Sequence, residues 1–224
     1  MVDGKPTSLV DLGFVDAGID DGWQACFSGP GGVGFHNESG YPIVNTTRFP
    51  DLRALTARAR ALGVRPGWYG NNDGCEEKRP ACALQADGTD ICFQGDVNAT
   101  IDFGFDSVKY DGGGMEKNIT HVALLYNKTG KAVLLEDCGN GNPARAQRDA
   151  AGKLDCPMNL YRSSSDLHPA WHSVLNNLNS TMAYHTNGLS GPGCWAYPDM
   201  LQTGVTPHPY LLRAISMSTC PHSF

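Results

Sequence analysis

The chain has 224 residues, a formal charge of −6, and Lys and Arg scattered along its length. That suits one α/β domain and excludes a basic footprint for nucleic acid. No apolar run approaches the roughly 18 residues of a membrane span, and the first residues, MVDGKPTSLV, lack the apolar region of a signal peptide.

Short β-rich runs alternate with amphipathic ones, the βα pattern of a parallel sheet. The first strand is expected at 12–19. A helix follows Pro50, where Leu52, Leu55, Ala59 and Leu62 fall on one face and Gly63 supplies a stop. A strand follows at 64–69. Residues 71–96 lack periodicity and carry Cys75, Cys82 and Cys92, which reads as a large loop pinned by disulfides. The next strand is expected at 105–110, then a helix over 115–126 with Ile119, Val122 and Leu125 or Tyr126 inward and Gly130 as its end. A strand at 132–136, an irregular loop at 139–157 and a strand at 158–161 come next. A helix starting near Pro169, with Trp171, Val174, Leu175 and Leu178 inward, precedes the last strand at 194–196.

Eight cysteines are many for a reduced cytosolic enzyme, and an even number allows full pairing. No CxxC pair and no nearby histidine suggests zinc, so no metal is expected. Sequons stand at Asn37, Asn45, Asn98, Asn118, Asn127 and Asn179. Cysteines and sequons together point to the secretory route, to a secreted or lysosomal/vacuolar protein whose signal peptide would lie upstream of Met1.

Polar residues gather where strands end. The runs close on Asp20-Asp21-Gly22-Trp23, Trp68-Tyr69-Gly70, Lys109-Tyr110-Asp111, Glu136-Asp137-Cys138, Arg162 to Asp166, and Pro198-Asp199-Met200. In a β/α barrel these ends converge on one mouth, where the active site is built. Carboxylates, aromatics, one Lys and one Arg there suit a sugar. Cleaving a glycosidic bond takes two carboxyl groups, one to protonate the leaving oxygen and one to attack the anomeric carbon or activate water. Lys109 sets a cation beside Asp111, as an ionised nucleophile requires. A general acid at Asp166 calls for burial. Spacing alone does not single these two out from the other acids, and a carboxylate after a strand also serves as a turn or cap residue.

The segments Asp20-Asp21-x-Trp23, FPDLRALTARARALGVRPGWYG (49–70), FGFDSVKYDGGG (103–114), YRSSSDL (161–167) and PGCWAYPDMLQTG (192–204) occur in an order that resembles glycoside hydrolase family 27, the α-galactosidase and α-N-acetylgalactosaminidase family. The resemblance implies a TIM barrel, (β/α)8, here a partial catalytic domain over 1–224 without its first and last strands and without the family's C-terminal β-domain. It implies a retaining hydrolase acting on terminal α-linked galactose, with Asp111 as nucleophile and Asp166 as general acid/base, about 5–5.5 Å apart. Asp20 and Asp21 would hold outer hydroxyls, Lys109 a ring hydroxyl and Arg162 the 2-position, with Trp23 and Tyr69 lining the pocket. Asp199 would brace the mouth, and Glu136 and Asp137 stand between binding and support. No cofactor is implied, the partner is the α-galactoside alone, with neither nucleic acid nor membrane, and no feature sets an oligomeric state. The rival readings are an α-N-acetylgalactosaminidase and a non-catalytic carbohydrate-binding barrel.

Two departures stand out. Gly22 and Gly113 occupy positions where the family has cysteines, so the usual bridge beside the site cannot form, which leaves Cys75 to pair with Cys82 or Cys92. The loop 136–141, which would discriminate galactose from its N-acetylamino form, lacks a bulky or acidic discriminator.

Overall fold

A computed structural model of the chain describes residues 3–70, 75, 91–111, 118–138 and 145–200. Its centre is a six-stranded parallel sheet. The strands are β1 (Asp16–Gly18), β2 (Arg65–Gly70), β3 (Ser107–Tyr110), β4 (Leu134–Asp137), β7 (Leu160–Arg162) and β8 (Trp195–Tyr197), adjacent in that order. The intervening β5 (Gln147–Arg148) and β6 (Leu154–Asp155) form a small antiparallel hairpin. Helices α1 (Leu52–Ala61), α2 (Ile91–Phe103), α3 (Ile119–Thr129) and α4 (Trp171–Thr186) lie in four of the five crossovers, and the β5–β6 hairpin lies in the fifth, from β4 to β7. The sequential parallel strands form a curled half-barrel sheet, in which β1 and β8 are edges not paired with each other. No described helix is long and apolar enough to cross a membrane.

Local chemistry sets the helix ends. Asp51 caps α1 by accepting from the Ala54 N–H at 2.9 Å, and Asn118 caps α3 through His121 N at 3.0 Å. Gly130 ends α3 in the left-handed conformation, φ 71°. Helix α3 buries Ile119, Val122, Leu125 and Tyr126, the stripe expected from its spacing.

The other faces differ from expectation. In α1 the inward residues are Leu52 and Thr56, and Leu55 and Leu62 are exposed. Thr56 is selected because its hydroxyl donates to the Phe103 carbonyl, tying α1 to the end of α2. In α4 the expected inward residues Trp171, Leu175 and Leu178 are exposed, and Ser173, Asn177 and Thr181 are buried. The segment after β7 lies against this face with backbone groups that need partners. Asn177 Nδ2 donates to Ser165 O at 3.0 Å, Ser173 Oγ accepts from His168 N at 3.0 Å, and Ser180 Oγ meets Ser163 Oγ at 2.8 Å.

Helix α2 begins inside the stretch expected to be loop. It buries Cys92, Phe93, Gly95, Asp96, Val97, Ala99 and Thr100, so no clean amphipathic period marks it. Gly95 is required: a Cβ there would stand 1.8 Å from the Gly40 carbonyl oxygen. Within the expected 139–157 loop, the β5–β6 hairpin turns through Asp149, whose N–H donates to Lys153 O at 2.9 Å, and Gly152 at φ 80°. Residues 71–74, 76–90, 112–117 and 139–144, and Cys220, lie outside the described residues.

The core between sheet and helices is aromatic. Trp68 stacks on Phe105 at 5.3 Å and tilts against Trp23 at 4.5 Å, and Trp23 meets Phe35 edge-on. Cys75 pairs with Cys26, not with Cys82 or Cys92. The reason is the bond from Trp23 Nε1 to Tyr69 O at 2.8 Å, which holds the segment after β1 against the end of β2. A second disulfide, Cys156–Cys194, ties the approach to β7 to that of β8. Pairing is not complete, because Cys138 is a buried free thiol.

Candidate active site

Residues in register on neighbouring parallel strands project to one face. Tyr69, Lys109, Glu136 and Leu160 are successive partners across β2, β3, β4 and β7, and Arg162 partners Tyr197 on the same side. Asp20, Asp111, Cys138, Asp166 and Asp199 follow just beyond the strands' carboxyl ends. The alternation that sends Trp68, Val108 and Leu135 into the core therefore sends the charged row the other way.

The first cluster centres on Lys109. Its Nζ lies 3.1 Å from Asp20 Oδ2 and 3.7 Å from Asp111 Oδ2, and 5.4 Å from the centre of the Tyr69 ring. Tyr69 OH reaches Asp111 Oδ2 at 3.3 Å. Burial pulls the Lys109 ammonium down, but the carboxyl groups of Asp20, Asp111 and Glu136 raise it by more, so it stays charged. Asp21 is exposed beside this cluster, its Oδ1 accepting from Gly22 N at 2.7 Å.

The second cluster centres on Arg162. Its Nη1 pairs with Asp166 and lies 3.8 Å from Asp199 Oδ1. Asp199 Oδ2 also accepts from Leu167 N at 2.6 Å, which fixes the segment that carries Asp166. Asp199 holds φ 85°, a strained value for a non-glycine residue. The Asp166 side chain is 76% exposed, so the burial expected of a general acid is not found. It leaves the strand end on a loop held by Arg162, Asp199, the 197–198 backbone and α4.

Glu136 and Tyr197 lie between the clusters. The Tyr197 hydroxyl donates to Glu136 Oε1 and stands 3.8 Å from Cys138 Sγ. Burial pushes the Glu136 carboxyl up, with the Tyr197 bond and Lys109 pulling partly back. Burial likewise lifts the Cys138 thiol well above its usual range, so it is neutral near pH 7. The arrangement puts two carboxylates at the carboxyl ends of one sheet, Asp111 near Lys109 and Asp166 on Arg162.

A family model described as Alpha galactosidase A matches residues 7–207. The chain belongs to the alpha galactosidase A family. Among its relatives are an alpha-galactosidase of Oryza sativa subsp. japonica, 27% identical over 208 residues, and an alpha-N-acetylgalactosaminidase of Mus musculus, 26% identical over 208 residues. These alignments take in 88% and 87% of this chain but 44% and 46% of the relatives, so the chain spans less than half their length. A solved α-galactosidase of Saccharomyces cerevisiae with raffinose superposes with a TM-score of 0.62 at 16% identity, over 89% of this chain and 47% of the other. That likeness concerns the fold.

Within this alpha galactosidase A domain the expected site residues fall into place as follows. Asp20, Tyr69, Lys109 and Asp111 come together, and Arg162 and Asp166 form a second pair. Trp23 is not on the mouth surface. It is 1% exposed and supports Tyr69 from behind. Tyr197 escaped the sequence reading altogether. The available signal was its place two residues before Asp199 at a strand end, but nothing in the sequence puts β8 within reach of Glu136.

Proposed function

We propose that the parent protein is a retaining α-glycoside hydrolase that removes terminal α-linked galactose. The observation that carries this reading is the Asp20–Lys109–Asp111–Tyr69 cluster together with the Arg162–Asp166 pair at the carboxyl ends of one parallel sheet. In the first step an Asp111 oxygen attacks the anomeric carbon while Asp166 protonates the departing glycosidic oxygen, leaving a glycosyl ester on Asp111. In the second step Asp166 takes a proton from water, the water oxygen displaces Asp111, and the sugar leaves with its configuration retained. Lys109 and Tyr69 orient the Asp111 carboxylate. Asp20, Asp21 and Lys109 offer hydrogen bonds to hydroxyls, and Arg162 holds Asp166 and the 2-position side of the ring. Asp166 gains the burial its acid role calls for when a sugar covers the mouth. Closing the half-barrel with the remaining strands of a (β/α)8 fold would complete that mouth.

The disulfides and the exposed sequon residues Asn37, Asn98, Asn118, Asn127 and Asn179 support passage through the secretory pathway to a secreted or lysosomal site. The mouse relative keeps α-N-acetylgalactosaminide as the second substrate reading.

The test is hydrolysis of 4-nitrophenyl α-galactoside and its α-N-acetylgalactosaminide by the chain, beside Asp111→Asn and Asp166→Asn. Turnover lost in Asp111→Asn supports the reading, and the preferred substrate assigns the sugar. Binding of galactose by a folded chain with no turnover would favour a carbohydrate-binding protein instead.

A further inference from the structure

The Glu136–Tyr197 pair has no part in the two-carboxylate chemistry above. Strands β4 and β8 are not neighbours, because β7 lies between them. The hydrogen bond from Tyr197 to Glu136 is therefore a strut across the concave side of the sheet. Glu136 is 6% exposed, and a carboxylate is costly to bury without partners. Its hydrogen-bond partner is the Tyr197 hydroxyl, and Lys109 is its register neighbour on the adjoining strand, on the same face.

That register matters for Lys109. A single ammonium beside Asp111 alone would collapse into a tight ion pair and occupy the oxygen that must attack carbon. Here Lys109 stands 3.1 Å from Asp20 but 3.7 Å from Asp111. A third carboxyl group, Glu136, stands in register with Lys109 on the next strand.

We propose that Glu136, fixed by Tyr197, is a positioning residue that holds the Lys109 ammonium back from Asp111. This rests on the reading of Asp111 as nucleophile. The ionisable groups around Glu136 are Lys109, Asp111, Asp20, Tyr197 and, next to Tyr197, Cys138. Burial raises the Glu136 carboxyl, so the positioning charge is absent at low pH and present above its titration. The Tyr197 bond favours the charged form.

The test uses the full chain with the near-isosteric variants Glu136→Gln and Tyr197→Phe. Acetylation by acetic anhydride at about pH 8 is followed by peptide mass spectrometry at Lys109, relative to the exposed Lys128. Removing one of three neighbouring negative charges eases deprotonation of Lys109, and about tenfold faster relative labelling is expected in Glu136→Gln, the change for one pK unit. Kinetics on 4-nitrophenyl α-galactoside give the second readout. Both variants are expected to lower kcat about tenfold with KM within about twofold. Tyr197→Phe moves the acid limb of kcat to higher pH, and Glu136→Gln removes the Glu136 contribution to it.

Unchanged Lys109 labelling in Glu136→Gln overturns the proposal, whether or not the chain is active. Faster labelling with kcat, KM and pH profile all unaltered overturns the positioning role. Faster labelling in a chain without turnover supports the placement of Lys109 by Glu136 and sinks the hydrolase reading instead.

Discussion

Replacing Gly95 by alanine tests the packing that delivers β3 to the site. In an exposed helix interior this change stabilises by about 1 kcal/mol, because alanine loses less backbone entropy. In α2 the new Cβ would lie 1.8 Å from Gly40 O, 2.4 Å from Gly40 C and 2.9 Å from Tyr41 N. All three are backbone atoms, so no flexible side chain can move aside. Gly40 has little room to retreat, since it holds φ 76° and its own added Cβ would come 2.3 Å from Ile91 O. Overpacking of this kind costs roughly 1–3 kcal/mol or more, which outweighs the helix gain. A net loss of about 2 kcal/mol is expected, or a fall in Tm of about 4–8 °C for a chain of this size. Urea and thermal unfolding followed by tryptophan fluorescence read both quantities. A variant more stable than the parent by about 1 kcal/mol would refute the close approach of α2 to the 40–41 turn.

Other expectations follow from the same contacts. Stability of the parent should decline as pH rises above the usual glutamate range, because the raised Glu136 carboxyl holds its proton in the folded chain after the unfolded chain has lost it. Glu136→Gln should flatten that decline in urea titrations at successive pH values, and an unchanged slope would assign it elsewhere. Cys156→Ser opens a loop whose ends are 38 residues apart, and chain-entropy arguments put the loss at up to about 4 kcal/mol in urea unfolding. Asn177→Ala removes the bond to Ser165 O and should cost about 1–2 kcal/mol, with α4 helicity retained by circular dichroism. Asp111→Asn should lower kcat on the aryl galactoside by about 10³-fold or more at unchanged folding, and an active variant would exclude Asp111 as nucleophile.

Much of the architecture is written in local pattern. The six sheet strands follow short β-rich runs, and α3 follows a stripe that tertiary packing leaves intact. The position of Asp20, Tyr69, Lys109, Asp111, Arg162 and Asp166 at strand ends is likewise sequential information, because each lies on or just after a predicted strand. Strand alternation then sends the charged members of β3 and β7 to one face.

What the tertiary structure decided is wherever a residue answers to a distant neighbour. Trp23 is adjacent in sequence to the paired aspartates, yet the carbonyl of Tyr69 and the rings of Phe35 and Trp68 draw it into the core. Helix α4 turns Ser173, Asn177 and Thr181 inward because the loop beneath it has backbone groups to satisfy, and helical periodicity carries no knowledge of that loop. Helix α2 is buried nearly all round and so has no period to read. Cys75 finds Cys26 only when the turn after β1 is held against β2. The strut from Tyr197 to Glu136 joins residues 61 apart across an intervening strand. Hydrophobic spacing and strand ends are properties of a short window, whereas hydrogen-bond satisfaction, disulfide reach and the sharing of one ammonium among several carboxylates exist only once the sheet has curled.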